Sequence, residues 1–112
     1  MGSDLANRHC QRDTALLQDK TVTDLLNNIH ADWNRVDEGK VIQRTFRFKN
    51  YYQTIAFVNA LAWVAHAEDH HPDLNVGYNS CVVNYSTHSV GGLSENDFIC
   101  AARIDALVAD KA

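Results

Sequence analysis

Val41-Ile42-Gln43-Arg44-Thr45-Phe46-Arg47-Phe48-Lys49-Asn50-Tyr51-Tyr52-Gln53 is the stretch that decides the fold. As far as Phe48 the side chains alternate. Ile42, Phe46 and Phe48 face one way, Gln43, Thr45 and Arg47 the other, and Arg44 is the exception on the apolar side. A period of two is a strand with one buried face. At Asn50 the period changes, because Asn50 and Gln53 have the spacing of a helix cap and its capping-box partner. Two apolar stripes follow at helical spacing: Tyr51, Ile55, Val58, Ala62 and Ala65, and beside them Phe57, Leu61 and Val64. One sheet contact needs only one stripe, so part of this helix is expected to meet another subunit.

Towards the N-terminus, Asp37-Glu38-Gly39-Lys40 is turn chemistry and Trp33–Val36 a short strand, so Val41–Phe48 closes a hairpin. Thr21, with Asp24 three residues on, opens a helix whose apolar face is Val22, Leu25, Leu26 and Ile29 and which fades near His30. Residues 1–20 are polar and aperiodic, which predicts a poorly ordered or loosely docked arm ahead of a single domain over 21–112.

Towards the C-terminus, Pro72 disfavours helical geometry at His71, so the long helix ends just before or at His70-His71. Asn75–Tyr78 is a weak strand. Cys81–Thr87 is a strong one, with Cys81, Val83, Tyr85 and Thr87 on one face and Val82, Asn84, Ser86 and His88 on the other. Gly91-Gly92 breaks it. Ser94 and Asp97 then cap a last helix with Ala101, Ile104, Leu107 and Val108 on its apolar side. The resulting order, α-β-β-α-β-β-α, predicts an α+β fold: a four-stranded antiparallel sheet with three helices packed on one face.

At 112 residues and 46% hydrophobic, the chain suits one folded domain. Net charge −4, with no basic run, argues against nucleic-acid binding, which needs a cationic face. The mostly apolar stretch Ile55–Ala67 is too short to span a bilayer, and Met1–Arg12 lacks a hydrophobic signal region. Cys10, Cys81 and Cys100 form no CxxC pair. They read as reduced thiols of a cytoplasmic protein, without a nearby signature of activation.

Three of the six histidines fall where elements end: His70 and His71 after Glu68-Asp69, and His88 just before the Gly-Gly break. A helix C-terminus and flanking carboxylates favour the protonated imidazole, and an imidazole poised between its two states is what a proton donor and acceptor requires. Capping alone is the competing reading for His70 and His71, a solvated loop residue that for His88, and a capping box that for Asp97. Three histidines can also hold a catalytic zinc, but adjacent His70 and His71 project differently and no HxH or HxxxH spacing supports a metal.

Asp69-His70-His71-Pro72, Tyr78-Asn79, Ser86-Thr87-His88 and Gly92-Leu93-Ser94-Glu95-Asn96-Asp97, at this spacing, resemble the signature of the pterin-4a-carbinolamine dehydratases. Trp33-Asn34 and Phe46-Arg47-Phe48-Lys49 fit the same pattern, and the resemblance covers about residues 21–109. It implies dehydration of a 4a-hydroxytetrahydropterin to quinonoid dihydropterin and water, the step that regenerates the pterin used by aromatic amino-acid hydroxylases. It also implies a homodimer or homotetramer that needs no metal or cofactor, the pterin being the substrate. His70, His71 and His88 match the family's active-site histidines and Asp97 its helix-cap aspartate. The matching blocks place Glu68, Asp69, Pro72, Ser86 and Thr87 beside the substrate with Asp97. Leu74-Asn75-Val76-Gly77 lacks the aromatic residue some members carry there. Two other roles remain open within the resemblance. One is that of dimerisation cofactor for a homeodomain transcription factor, as in vertebrate relatives; the other is service in a different pterin pathway such as molybdopterin metabolism.

Overall fold

The computed structural model describes residues 4–109. Three helices and four strands follow in the predicted order: α1 (Asp19–Leu26), β1 (Asn34–Val36), β2 (Val41–Arg47), α2 (Tyr51–Glu68), β3 (Asp73–Val76), β4 (Ser80–Tyr85) and α3 (Glu95–Val108). Short 3-10 turns at Leu5–Asn7 and His88–Val90 complete it. The sheet is antiparallel in the order β1-β2-β4-β3, with Phe46 opposite Cys81 and Ile42 opposite Tyr85 across its centre.

The alternation in β2 and β4 sets the core. Ile42 and Phe46 of β2, with Cys81, Val83 and Tyr85 of β4, are buried together with Val22 of α1, Phe57 and Leu61 of α2, and Phe98, Ile99 and Ile104 of α3. Burying each large side chain stabilises the fold by about 1.5–3 kcal/mol. Trp33, Phe46, Phe57 and Phe48 form a continuous aromatic run, with Phe46 and Phe57 ring centres 4.6 Å apart. Arg44, the polar exception in β2, stays on the core side. It lies 4.2 Å from the centre of the Phe46 ring, and its Nη1 donates to Asp105 of α3 at 2.6 Å. Asp105 also accepts from Trp33 Nε1, so the buried guanidinium ties β2, α3 and the entry to β1 together.

The helix cap at Asn50 forms as expected, its side chain accepting from Gln53 N; Gln53 Oε1 accepts in turn from Lys49 N, one residue before the cap. The buried side of α2 is Thr54, Phe57, Leu61, Ala65 and Glu68, so the Phe57 stripe is the core stripe. Tyr51 and Ala62 of the other predicted stripe are exposed, and so are Tyr52 and Trp63.

Several boundaries differ from expectation. α1 begins at Asp19, whose carboxylate suits the positive end of a helix and receives Arg35 Nη2 at 2.8 Å. It ends at Leu26, ahead of the predicted fade near His30. β3 lies at Asp73–Val76, because Gly77–Asn79 are needed for the turn into β4; Gly77 N donates to Ser80 O and Tyr78 O accepts from Thr54. β4 stops at Tyr85, and Thr87 makes only an isolated bridge to Gly92. His88 therefore opens a 3-10 turn that ends at Gly91 with φ +74°, a conformation only glycine adopts cheaply.

The arm is docked on the domain at several points between Leu5 and Leu17. Leu5 is buried, Leu17 N donates to Leu93 O, and Gln11 and Asn96 exchange two hydrogen bonds of 2.9 and 2.8 Å. Cys10 N donates to Glu68 at 2.7 Å, and Arg103 Nε donates to Arg8 O at 3.0 Å. Backbone groups of the arm bond to side chains up to 95 residues away, a hold that no periodicity in residues 1–20 could reveal.

Candidate active site

The helix α2 ends at Glu68 because Asp69 turns into the left-handed region (φ 55°, ψ 42°), which aspartate tolerates better than most residues. His70 N then closes the helix end on Ala65 O. The reversal lays the His70 ring over Tyr85 of β4, ring centres 5.2 Å apart, while Tyr85 Oη donates to the His70 carbonyl at 3.0 Å. Backbone and ring of His70 are thus both fixed by one tyrosine that the parity of β4 turns inward.

From the far side comes Asp97, third residue of α3 and fully buried. Its Oδ1 lies 2.6 Å from His70 Nε2; its Oδ2 accepts from Ser94 N and from Thr87 Oγ1, each at 2.9 Å. Thr87 has one hydroxyl proton and gives it to Asp97, so Ser94 Oγ is the donor in the 2.7 Å contact with Thr87 Oγ1. Three donors therefore converge on the Asp97 carboxylate, at the positive end of a helix. With Nε2 bonded to a carboxylate, the ring's exchangeable position is Nδ1. Among the described residues Nδ1 has no hydrogen-bond partner, and the His70 side chain keeps 14% of its surface exposed. Burial pulls the His70 pKa down, but the hydrogen bond and charge of Asp97, helped by Cys100 and Asp69, outweigh it and the net displacement is upward. The pair is built to hold a proton at Nδ1.

Of the residues singled out in the sequence, His70, Asp97 and Thr87 come together in one hydrogen-bonded unit. Asp69 is exposed, Pro72 and Ser86 are half-buried, and His71 and His88 are exposed; Asp69 serves as the turn that aims His70. Glu68 corrects its expectation of facing substrate, because both its oxygens are taken by the arm: Oε1 by Cys10 N and Oε2 by His9 Nδ1 at 2.9 Å, with Arg103 at 3.6 Å. Tyr85, Ser94 and Cys100 were not foreseen as parts of the site. Cys100 Sγ lies 3.9 Å from the His70 carbonyl. For Tyr85 the available signal is its parity in β4, and for Cys100 its helical spacing from Ile104 in α3. No three His, Cys, Asp or Glu side chains among the described residues converge as metal ligands. Nor is any helix among them long and apolar enough to cross a membrane.

Comparison with known proteins identifies the class. Residues 15–107 match the family described as pterin 4 alpha carbinolamine dehydratase. A Legionella pneumophila protein is 48% identical over 98% of this chain and all of its own length; one from Nitrosomonas eutropha is 55% identical over 94% of each. Both carry the name pterin-4-alpha-carbinolamine dehydratase, given provisionally. The crystal structure of a transcriptional coactivator/pterin dehydratase from Brucella melitensis superposes with a TM-score of 0.77 at 31% identity, covering 81% of this chain and 96% of that one. A pterin dehydratase-like protein identified as a RuBisCO assembly factor in the alpha-carboxysome gives 0.60 at 30% identity, over 70% and 90%. The chain belongs to the pterin-4a-carbinolamine dehydratase family.

Proposed function

We propose that the protein dehydrates a 4a-hydroxytetrahydropterin to the quinonoid dihydropterin, with His70 as the principal acid–base group. The observation that carries this is the His70–Asp97 pair, braced by Thr87 and Ser94 at the end of three different elements. Loss of the 4a-hydroxyl requires a proton delivered to that oxygen and another removed from N5 of the ring. Protonated at Nδ1, His70 supplies the first; Asp97 fixes the tautomer and ring angle and steadies the positive charge, as an orienting carboxylate does for a catalytic histidine. His88 is the complementary base in this scheme and His71 orients the pterin, both being exposed after the helix and strand that flank the pair. Asp69, Pro72 and Ser86 shape the rim, and Thr87 supports it from beneath through Asp97. The chemistry calls on imidazoles alone, and the pterin is consumed as substrate.

The same reading assigns the protein to cytoplasmic recycling of tetrahydrobiopterin for aromatic amino-acid hydroxylation, as a homodimer or homotetramer. In a rapid-mixing dehydration assay His70→Ala and His88→Ala should each lower the rate by about 10²–10⁴-fold. Near wild-type rates in both would remove the assignment.

A second reading is a binding role, such as the Brucella melitensis protein's description as a transcriptional coactivator suggests. It draws on the exposed aromatic side of α2, where Tyr52 and Trp63 are 82% and 72% accessible. Sedimentation of the protein alone and with candidate partners separates self-association from capture of a foreign helix. Histidine variants that keep a partner but lose dehydration would show two separable activities.

A further inference from the structure

Cys10 and Cys100 stand 90 residues apart in the chain, yet their sulfurs are 3.5 Å from one another, ordinary van der Waals contact for two thiols. Neither position resembles a redox motif in the sequence. The docked arm creates the pair. Glu68 receives Cys10 N and Asn96 brackets Gln11 on both sides, so the Cys10 side chain is aimed into α3, with Sγ also 3.6 Å from Asn96 O. Cys100 is fully buried on α3 behind His70, and Cys10 is half-buried and forms the solvent side of the pair. Cys81, the remaining thiol, is buried in β4.

We infer that Cys10 and Cys100 are an oxidisable dithiol, which a peroxide converts into an intramolecular disulfide that fastens the N-terminal arm to α3. One sulfur attacks a peroxide oxygen, breaking the O–O bond to give a sulfenic acid and releasing one water after proton transfer. The other sulfur then attacks the sulfenic sulfur; the S–S bond forms and the hydroxyl leaves as the second water. Two thiols lose two protons and two electrons, and the peroxide takes up both. Bond formation brings the sulfurs from 3.5 Å to about 2.05 Å. Polarisation of the pair favours the exchange. Cys100 is held below the usual thiol range chiefly by the Cys10 S–H hydrogen bond, against its own burial, with Tyr85 and the His70 charge assisting; Cys10 is pushed up by the same hydrogen bond. The two thiols are thus inequivalent, Cys100 being the more acidic, and a reducing compartment returns the disulfide to the thiols. The inference stands apart from the dehydratase assignment, because it concerns the arm and needs no pterin.

The test oxidises the full-length protein with graded hydrogen peroxide, unfolds it in denaturant with an alkylating reagent to block remaining thiols, and digests without reductant using trypsin and a glutamate-specific protease together. Cleavage after Arg8, Arg12, Glu95 and Arg103 isolates Cys10 in residues 9–12 and Cys100 in residues 96–103, while Cys81 falls within residues 69–95. The expected product is the cross-linked pair 9–12 and 96–103, two hydrogens lighter than its parts and separated by dithiothreitol. Of the three thiols only Cys81 should remain alkylatable. The cross-link should persist in Cys81→Ser, and cleavage after Arg12 in the undenatured protein should slow on oxidation and recover on reduction. Three outcomes overturn the inference: all three thiols still alkylated, disulfides only between molecules, or Cys10 carried to sulfinic acid with Cys100 unreacted. Since the wild-type protein is the object measured, a poorly folding Cys100→Ser variant would not obscure the result.

Discussion

Two histidine–carboxylate pairs in this molecule use the same chemistry in opposite settings. In one, His70 and Asp97 are both sunk, with side-chain exposures of 14% and 0%, and meet at 2.6 Å from the end of α2 and the start of α3. In the other, Glu68 is equally buried at 3% but His9 is 73% exposed, and the contact is 2.9 Å. Asp97 draws its donors from Thr87, Ser94 and His70, all belonging to the packed domain. Glu68 draws two of its own from an arm whose regular structure among the described residues is the 3-10 turn Leu5–Asn7. Only Asp69 separates Glu68 from His70, so the contrast is one of orientation. Asp69 in the left-handed region swings the chain so that one carboxylate serves the arm and the next imidazole serves the site. A buried carboxylate, then, does not mark a site by itself; what its partners are anchored to does.

The comparison breaks most severely at Asp97. Asp97→Ala leaves Thr87, Ser94 N and His70 without their acceptor, and removing one partner of a buried, hydrogen-bonded charge costs about 3–5 kcal/mol. Urea denaturation of the variant should show it, and a loss below about 1 kcal/mol would mean the network contributes little to the fold. Glu68→Ala should cost less, about 1–3 kcal/mol, the penalty of leaving Cys10 N without its acceptor. Its effect should be local. Hydrogen exchange at the Cys10 and Gln11 amides should accelerate while the His70 ring signals stay in place; a collapse of both together would show arm and site to be one cooperative unit.

Changing pH sharpens the contrast, since the two pairs respond in opposite directions. The His70 pKa is raised, so the stability it contributes is fully present below the ordinary imidazole range and is lost as pH rises through the raised value. Burial pushes Glu68 up, but the hydrogen bonds from Cys10 N and His9 and the charges of Arg103 and His9 more than offset it, and the net pKa is lowered. Its contribution is therefore present above the ordinary carboxylate range and is lost as pH falls through the lowered value. Falling pH should free the arm first; rising pH should loosen the site first. NMR titration following His70 and the arm amides checks both signs, and Asp97→Asn should move the His70 transition downwards. The smallest effect is expected at His9→Ala, where an exposed partner contributes no more than about 1 kcal/mol to thermal or urea stability.

Local pattern carried most of this architecture. The alternation of β2 and β4 and the switch of period at Asn50 were readable, because a period of two or of 3.6 depends only on near neighbours. The caps at Asn50 and Ser94 were readable for the same reason. Element edges were less so. β3 shifted by two residues because its position answers to the turn into β4 and to Thr54, and α1 started early because Asp19 has a partner in β1. At the site, His70, Thr87 and Asp97 carried recognisable residue types at recognisable spacing. Their division of labour did not, since nothing local says that Thr87 donates to Asp97 or that Tyr85 underlies the imidazole. Glu68 was assigned to the substrate from its position beside the histidines, and the direction of its side chain reversed that.

By itself, then, the amino-acid order determined the strand and helix sequence, the inward faces, and the set of histidines and acids near the end of α2 and the start of α3. Tertiary structure alone decided which carboxylate met which imidazole, that Arg8 and Gln11 were fastened to α3, and that Cys10 touched Cys100. The reason is physical: periodicity and capping are fixed by bonds within a few residues. Hydrogen bonds and contacts spanning 27 to 95 residues exist only after the core has brought their ends together.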